Sequence, residues 1–153
     1  MTPAAPATTT RWFEDAVVGE ELPVVEYPLT VYRLVMAAGA NRDFNSIHHN
    51  TEYARSTGAP EMYANTSFLL SAWERCVRNW MGPAGTIRSI RGFRMRSFNV
   101  VGDTTRVLAH VAATGVEDGV GTAQIAIRCE NSTGTTVGPG VVEVTLPRRE
   151  GAS

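Results

Sequence analysis

The period of the hydrophobic pattern changes once, at Gly82-Pro83, and this change restricts the fold more than any other feature of the chain. Before it, Leu69, Trp73, Cys76, Val77 and Trp80 recur at three- and four-residue spacing, which predicts a helix from Asn65 to about Met81 with one broad buried face. After it, apolar residues alternate with polar ones. Phe93 and Met95 alternate with Arg94 and Arg96, and the sets Val107-Ala109-Val111-Ala113, Ala123-Ile125-Ile127-Cys129 and Val142-Val144-Leu146 follow. Four strands are therefore expected after the helix. Asp118-Gly119 and Ser132-Thr133-Gly134 are turn signals, so consecutive strands are expected to pair antiparallel as hairpins.

Upstream, LPVVEYPL (22–29) reads as a strand, and Thr30 can cap a short helix through VYRLVMAAG that ends at Gly39. Asn50 can cap a second short helix, TEYARST, stopped by Gly58. One early strand, a long helix and four antiparallel strands imply an α+β architecture in which a sheet wraps a central helix. A hot-dog fold fits this order, with a cystatin-like or cone-shaped α+β fold as the alternative. At 153 residues, 43% of them hydrophobic, the chain suits one domain around one core. The Pro, Ala and Thr of MTPAAPATTT cannot make a packed face, so residues 1–10 are expected to form a disordered tail and RREGAS a loose end, leaving a single domain over 11–149.

Fourteen basic and fifteen acidic residues give a net charge of −1, so no global field recruits nucleic acid or an anionic membrane. No apolar run reaches the length of a membrane span, and the N-terminus lacks the pattern of a secretory signal, so a cytoplasmic protein is expected. Cys76 and Cys129 lack metal-ligand spacing and fall in apolar periodic segments, which predicts reduced core thiols.

The segment RDFNSIHH (42–49) concentrates Asp43, Asn45 and His48 beside Phe44 and Ile47. One reading is a solvated polar turn, since Asp and Asn favour turns. The other is acid/base equipment. A carboxylate can fix an imidazole's tautomer or activate a water, and histidine exchanges a proton near neutral pH. Phe44 and Ile47 are then expected to hold the loop inward.

RWFEDAVVGEELP and AGANRDFNSIHHNTEYARSTGAP resemble the MaoC-like, or (R)-specific enoyl-CoA, hydratases, whose signature has the form S-G-D-x-N-P-x-H-x-D. Asp43, Asn45 and His48 fall on its Asp, Asn and His, and the resemblance runs from about Trp12 to Leu146. Ser46 and Asn50 stand where the family has Pro and Asp, and Asn41-Arg42 replaces Ser-Gly. At the start of the long helix the family's A-H-G-M is Ala64-Asn65-Thr66-Ser67.

The resemblance implies the hot-dog fold and a lyase that adds water to trans-2-enoyl-CoA, with Asp43 and His48 sharing the water. Which of them withdraws its proton stays open, because interacting groups titrate as a pair. Asn45 is implied to orient the water or a carboxylate, and the Thr66 backbone N–H to meet the thioester oxygen in place of the family's glycine. Met62, Tyr63 and Asn65 are candidate substrate contacts. No metal and no cofactor is implied, since CoA is part of the substrate.

RDFNSIHH with Met62-Tyr63-Ala64-Asn65 and Trp80-Met81-Gly82-Pro83 further resembles small subunits of steroid side-chain hydratases. That resemblance implies a bulky acyl-CoA thioester substrate and a heteromer with a second MaoC-like chain, where a homodimer is the simpler assembly. A non-catalytic pairing subunit is the alternative function, and a hot-dog thioesterase a third that the Asp-x-Asn-x-x-His spacing opposes.

Arg88, Arg91, Arg94 and Arg96 read as a solvated strand face, or as a source of one or two contacts to CoA phosphates. His49 is expected beside the site and His110 exposed without a role. Trp73 and Trp80 are expected in the core or an interface.

Overall fold

A computed structural model of the chain describes residues 9–151. Its elements are β1 (Val25–Pro28), α1 (Val31–Ala40), α2 (Thr51–Ser56), α3 (Thr66–Met81), β2 (Thr86–Arg91), β3 (Thr104–Glu117), β4 (Val120–Asn131) and β5 (Gly134–Leu146), with single 3-10 turns at Phe13–Asp15 and Ser46–His48. All five strands join one antiparallel sheet in the order β1-β3-β4-β5-β2. The sheet curls around α3, giving the hot-dog fold.

The core is the meeting of two periodicities. Leu69, Trp73, Cys76, Val77 and Trp80 of α3 are buried, as are Val107, Ala109, Val111, Ala123, Ile125, Ile127, Cys129, Val142, Val144 and Leu146 on the concave face of the sheet. Each fully buried large apolar side chain contributes about 1.5–3 kcal/mol. Trp73 lies at the centre, its Nε1 donating to Cys129 Sγ at 3.2 Å and its ring edge-on to Phe93 at 5.1 Å. The indole rests against β5 where the chain has Gly138 and Gly140, and a Cβ there would come within 2.9 Å and 2.8 Å of the ring.

The expected caps are present, since Thr30, Asn50 and Asn65 each accept the N–H three residues on. The Asp118-Gly119 hairpin turn has positive φ at both residues, as a type I′ turn requires. Both cysteines are buried and free, and burial pushes each thiol up to about 12.

Two strand expectations need correction. The first strand after α3 is Thr86–Arg91, not the segment around Phe93–Arg96; after Gly92, at φ 71, that segment meets the sheet only through the Met95–Val137 bridge and bonds from Arg96 and to Arg94. Pairing is also not wholly sequential, because β2 closes onto β5 and β1 onto β3. The expected tail, 1–10, lies for its first eight residues outside the described residues, while Thr9 lies against Gly82 and Arg11 N–H donates to Met81. At the other end, Arg148 and Arg149 of RREGAS pair with Glu14 and Asp15.

Candidate active site

Asp43 is placed by the end of α1. The Arg42 N–H donates to Gly39 and the Asp43 N–H to Ala38, with Arg42 at φ 53, the bond pattern of a Schellman motif. The motif needs a left-handed residue at position 42, where the family signature has glycine and this chain supplies arginine. The chain then turns through Asn45, whose Oδ1 accepts the Ile47 N–H and starts the 3-10 turn ending at His48. That turn brings His48 Nε2 to 3.1 Å from Asp43 Oδ2.

Burial divides the pair. The His48 side chain is 7% exposed and that of Asp43 38%, so the imidazole is held inside while the carboxylate opens outward. His48 Nδ1 lies 2.8 Å from the Tyr63 carbonyl oxygen, and its ring packs edge-on against the Tyr63 ring at 5.4 Å. A carbonyl only accepts, so Nδ1 carries a hydrogen and donates it. Nε2 then faces the Asp43 carboxylate, and a proton between them would join the two.

The same loop is stitched to the segment leading into α3. Besides the His48–Tyr63 bond, the Tyr63 N–H donates to Ile47 and Asn41 Nδ2 to Asn65 Oδ1 at 3.4 Å. The Thr51 hydroxyl donates to Glu61 and, with Arg55, holds the Glu61 carboxyl below the usual carboxylate range. The loop that carries the pair is thereby tied to the segment leading into α3. There Asn65 Oδ1 takes the Phe68 N–H, while the N–H groups of Thr66 and Ser67 precede any intrahelical acceptor. They carry the positive end of the helix dipole.

Thr66 and Tyr63 line a pocket of about 370 Å³ together with Met95, Arg96, Ser97 and Phe98. The arrangement joins an imidazole and a carboxylate, through Tyr63, to the segment that leads into a helix start with main-chain donors. Such an array can activate a water and accept developing negative charge on a carbonyl oxygen.

Of the expected site residues, Asp43 pairs with His48 and His48 packs on Tyr63, while Tyr63 and Thr66 line the pocket, whose lining includes neither Asp43 nor His48. Asn45 is exposed, and among the described residues its only side-chain hydrogen bond is the one that closes the turn. Met62 does not line the pocket. It is buried in the core, its main chain tied to Val101 and Thr51, because the leader is extended and alternate residues face opposite ways. Asn65 is likewise buried as the cap of α3, with its Nδ2 unpartnered among the described residues. Phe44 is 73% exposed and does not hold the loop inward, whereas Ile47 packs on the core. His49 is exposed beside the loop and His110 is exposed on β3. The Tyr63 carbonyl leaves no mark in a sequence, since it is a main-chain acceptor, and of the four arginines at 88–96 only Arg96 lines the pocket.

Among the described residues, no three His, Cys, Asp or Glu side chains are grouped as a metal requires, and no helix is long and apolar enough to cross a membrane.

No family model matches the chain. It is 31% identical over 109 residues to the 3-oxo-4,17-pregnadiene-20-carboxyl-CoA hydratase beta subunit of Mycobacterium tuberculosis, covering 71% of this chain and 82% of that protein. Its fold matches a chain of the ChsH1-ChsH2 complex from Mycobacterium tuberculosis with a TM-score of 0.76 and 29% identity, covering 85% of this chain and 98% of that one. The (R)-hydratase from A. caviae involved in PHA biosynthesis matches with a TM-score of 0.76, covering 88% of this chain and 99% of that one; at 18% identity this shows the fold alone. With Asp43 and His48 of the signature paired and a relative of this similarity over most of its length, the chain belongs to the MaoC-like hydratases.

Proposed function

We propose that the chain is an (R)-specific enoyl-CoA hydratase, adding water reversibly and syn across the 2,3 double bond of a trans-2-enoyl-CoA to give a (3R)-3-hydroxyacyl-CoA. The observation that carries this reading is the 3.1 Å contact of Asp43 Oδ2 with a His48 whose other nitrogen is committed to Tyr63. A water held by this pair loses one proton to it as its oxygen bonds to C3. The electrons of the double bond move onto the thioester oxygen, where the Thr66 N–H donates, and C2 then takes a proton delivered by the pair. Removing one such donor costs about 2.7–4 kcal/mol elsewhere.

Asn45 acts by closing the turn that presents His48, and Tyr63 borders the acyl group. The reaction transfers a proton and a hydroxyl and no electrons, so the residues named suffice without a metal or redox cofactor. The named relatives support a bulky steroid side-chain acyl group as the substrate class, and a second MaoC-like chain as the partner.

A second reading, a pairing subunit without chemistry, is favoured by one feature: Thr66 lines the pocket at the position where the family has glycine. Loss of enoyl-thioester absorbance, measured for the chain alone and mixed with a second MaoC-like chain, separates the two when the product's C3 configuration is analysed. Hydration to the 3R product that needs this chain supports the hydratase. Undiminished turnover by the partner without it, or release of free thiol, overturns the proposal.

A further inference from the structure

We infer that Arg96 receives the phosphates of a CoA thioester at the mouth of the pocket headed by Thr66; this rests on reading that pocket as the thioester site.

The four arginines of residues 88–96 have different surroundings. Arg88 faces Glu117 at 3.2 Å and Glu143 at 3.8 Å, and Arg91 faces Glu143 at 3.6 Å. Their charges are already answered. Arg94 is exposed and does not line the pocket. Arg96 does, beside Thr66 and Tyr63. Among the described residues no carboxylate lies within ion-pair distance of it.

Arg96 is also held in place. Its N–H donates to Thr136 at 2.8 Å and its Nε donates to the Gly138 carbonyl, so both backbone and guanidinium are fixed to β5. The terminal nitrogens remain as a positioned cationic fork, the geometry that suits phosphate oxygens. The rest of the lining sorts by chemistry. Tyr63, Met95 and Phe98 are apolar or aromatic, with the Tyr63 and Phe98 rings 4.9 Å apart, while Ser97 and Arg96 lie exposed. An apolar wall with one unneutralised cation at its rim fits a ligand with an uncharged arm and an anionic end.

A second hollow of about 330 Å³, lined by Tyr27 and Phe68, also carries arginines. There Arg78 faces Glu74 at 3.7 Å and Arg75 Nε donates to Asn79, and nothing links that hollow to Asp43 or His48. The Arg96 pocket is the one that includes Tyr63, on which His48 packs, and Thr66.

The test compares wild type with Arg96→Gln, in the assembled protein, on a trans-2-enoyl-CoA and on the phosphate-free pantetheine thioester of the same acid. Binding of free CoA and of pantetheine is measured alongside by calorimetry. Arg96→Gln raises the KM for the CoA ester and the Kd for CoA about tenfold or more, the loss expected for one charge-assisted pair, and leaves both pantetheine values and kcat unchanged. Arg96→Lys, which keeps the charge, recovers part of the loss, and Arg88→Gln changes nothing. Equal losses with and without phosphates, or no loss with either, overturn the assignment. CoA binding that depends on Arg96 without any hydration refutes the hydratase reading and leaves the Arg96 site standing.

Discussion

Replacing Thr66 by proline removes one atom group that the proposed chemistry needs and that the fold does not. Thr66 is the first residue of α3, where the N–H has no intrahelical acceptor and proline is the preferred residue. The residue before a proline must be extended, and Asn65 already is, at φ −77 and ψ 159. Its cap on the Phe68 N–H, at 2.9 Å, does not involve Thr66. The stability change is therefore expected within about 1 kcal/mol, or about 2–4 °C in Tm for a chain of this length. The catalytic cost is that of one oxyanion donor, a drop in kcat of about 10²–10³-fold. Thr66→Gly is the paired control, because it keeps the N–H and removes only the side chain of a residue that lines the pocket. It should change which acyl groups are accepted while leaving kcat for a good substrate within about tenfold. Enoyl absorbance kinetics and thermal melts on both variants decide. A Thr66→Pro protein that folds and retains turnover within about tenfold of wild type would show that the oxyanion donor is elsewhere.

Arg42 holds a left-handed conformation that costs a side-chain-bearing residue about 1–2 kcal/mol, so Arg42→Gly should raise Tm by about 2–4 °C after the added chain entropy is counted. An unchanged or lowered melt would contradict the Schellman reading. Burial raises the Asp103 carboxyl, but bonds from the Ser132 hydroxyl and N–H and the Thr104 N–H outweigh this and hold it below the usual carboxylate range. Its folded-state pKa is thus below the unfolded one, so its contribution is present above the unfolded value and lost as pH falls through the folded one. The stability difference between wild type and Asp103→Asn should accordingly shrink from about pH 7 to about pH 3, as denaturant titrations will show. With both thiols pushed up to about 12 by burial, Cys76 and Cys129 should resist a disulfide-exchange reagent in the native protein and react once it is unfolded.

The concave face of the sheet was legible because Val107, Ile125 and Val142 belong to strands with one face buried and one wet, where alternation is clean. The edge strand β2 was not, since Thr86–Arg91 is half-exposed throughout and shifts register between Ile87 and Ser89. Phe93 to Arg96 shows a strand-like alternation for a different reason, with Phe93 packed on Trp73 and Met95 on the core beyond the ladder. The closure of β1 onto β3 and β2 onto β5 depends on curvature about α3, which no local pattern encodes. At the site, Asp43 and His48 could be read because one short loop carries both. The Tyr63 carbonyl that sets the histidine tautomer could not, nor could the choice of Arg96 among the four candidate arginines, because each reaches the site through the fold.

The central claim is that Asp43 and His48, as one proton-holding unit, hydrate an enoyl thioester. The most direct measurement is the hydration rate of a cognate trans-2-enoyl-CoA by the assembled protein carrying Asp43→Asn or His48→Asn in this chain. Each variant should remain folded and lose at least about a hundredfold in rate, the low end for positioned acid/base groups. Turnover near the wild-type rate in both would contradict the account and leave the chain a pairing subunit.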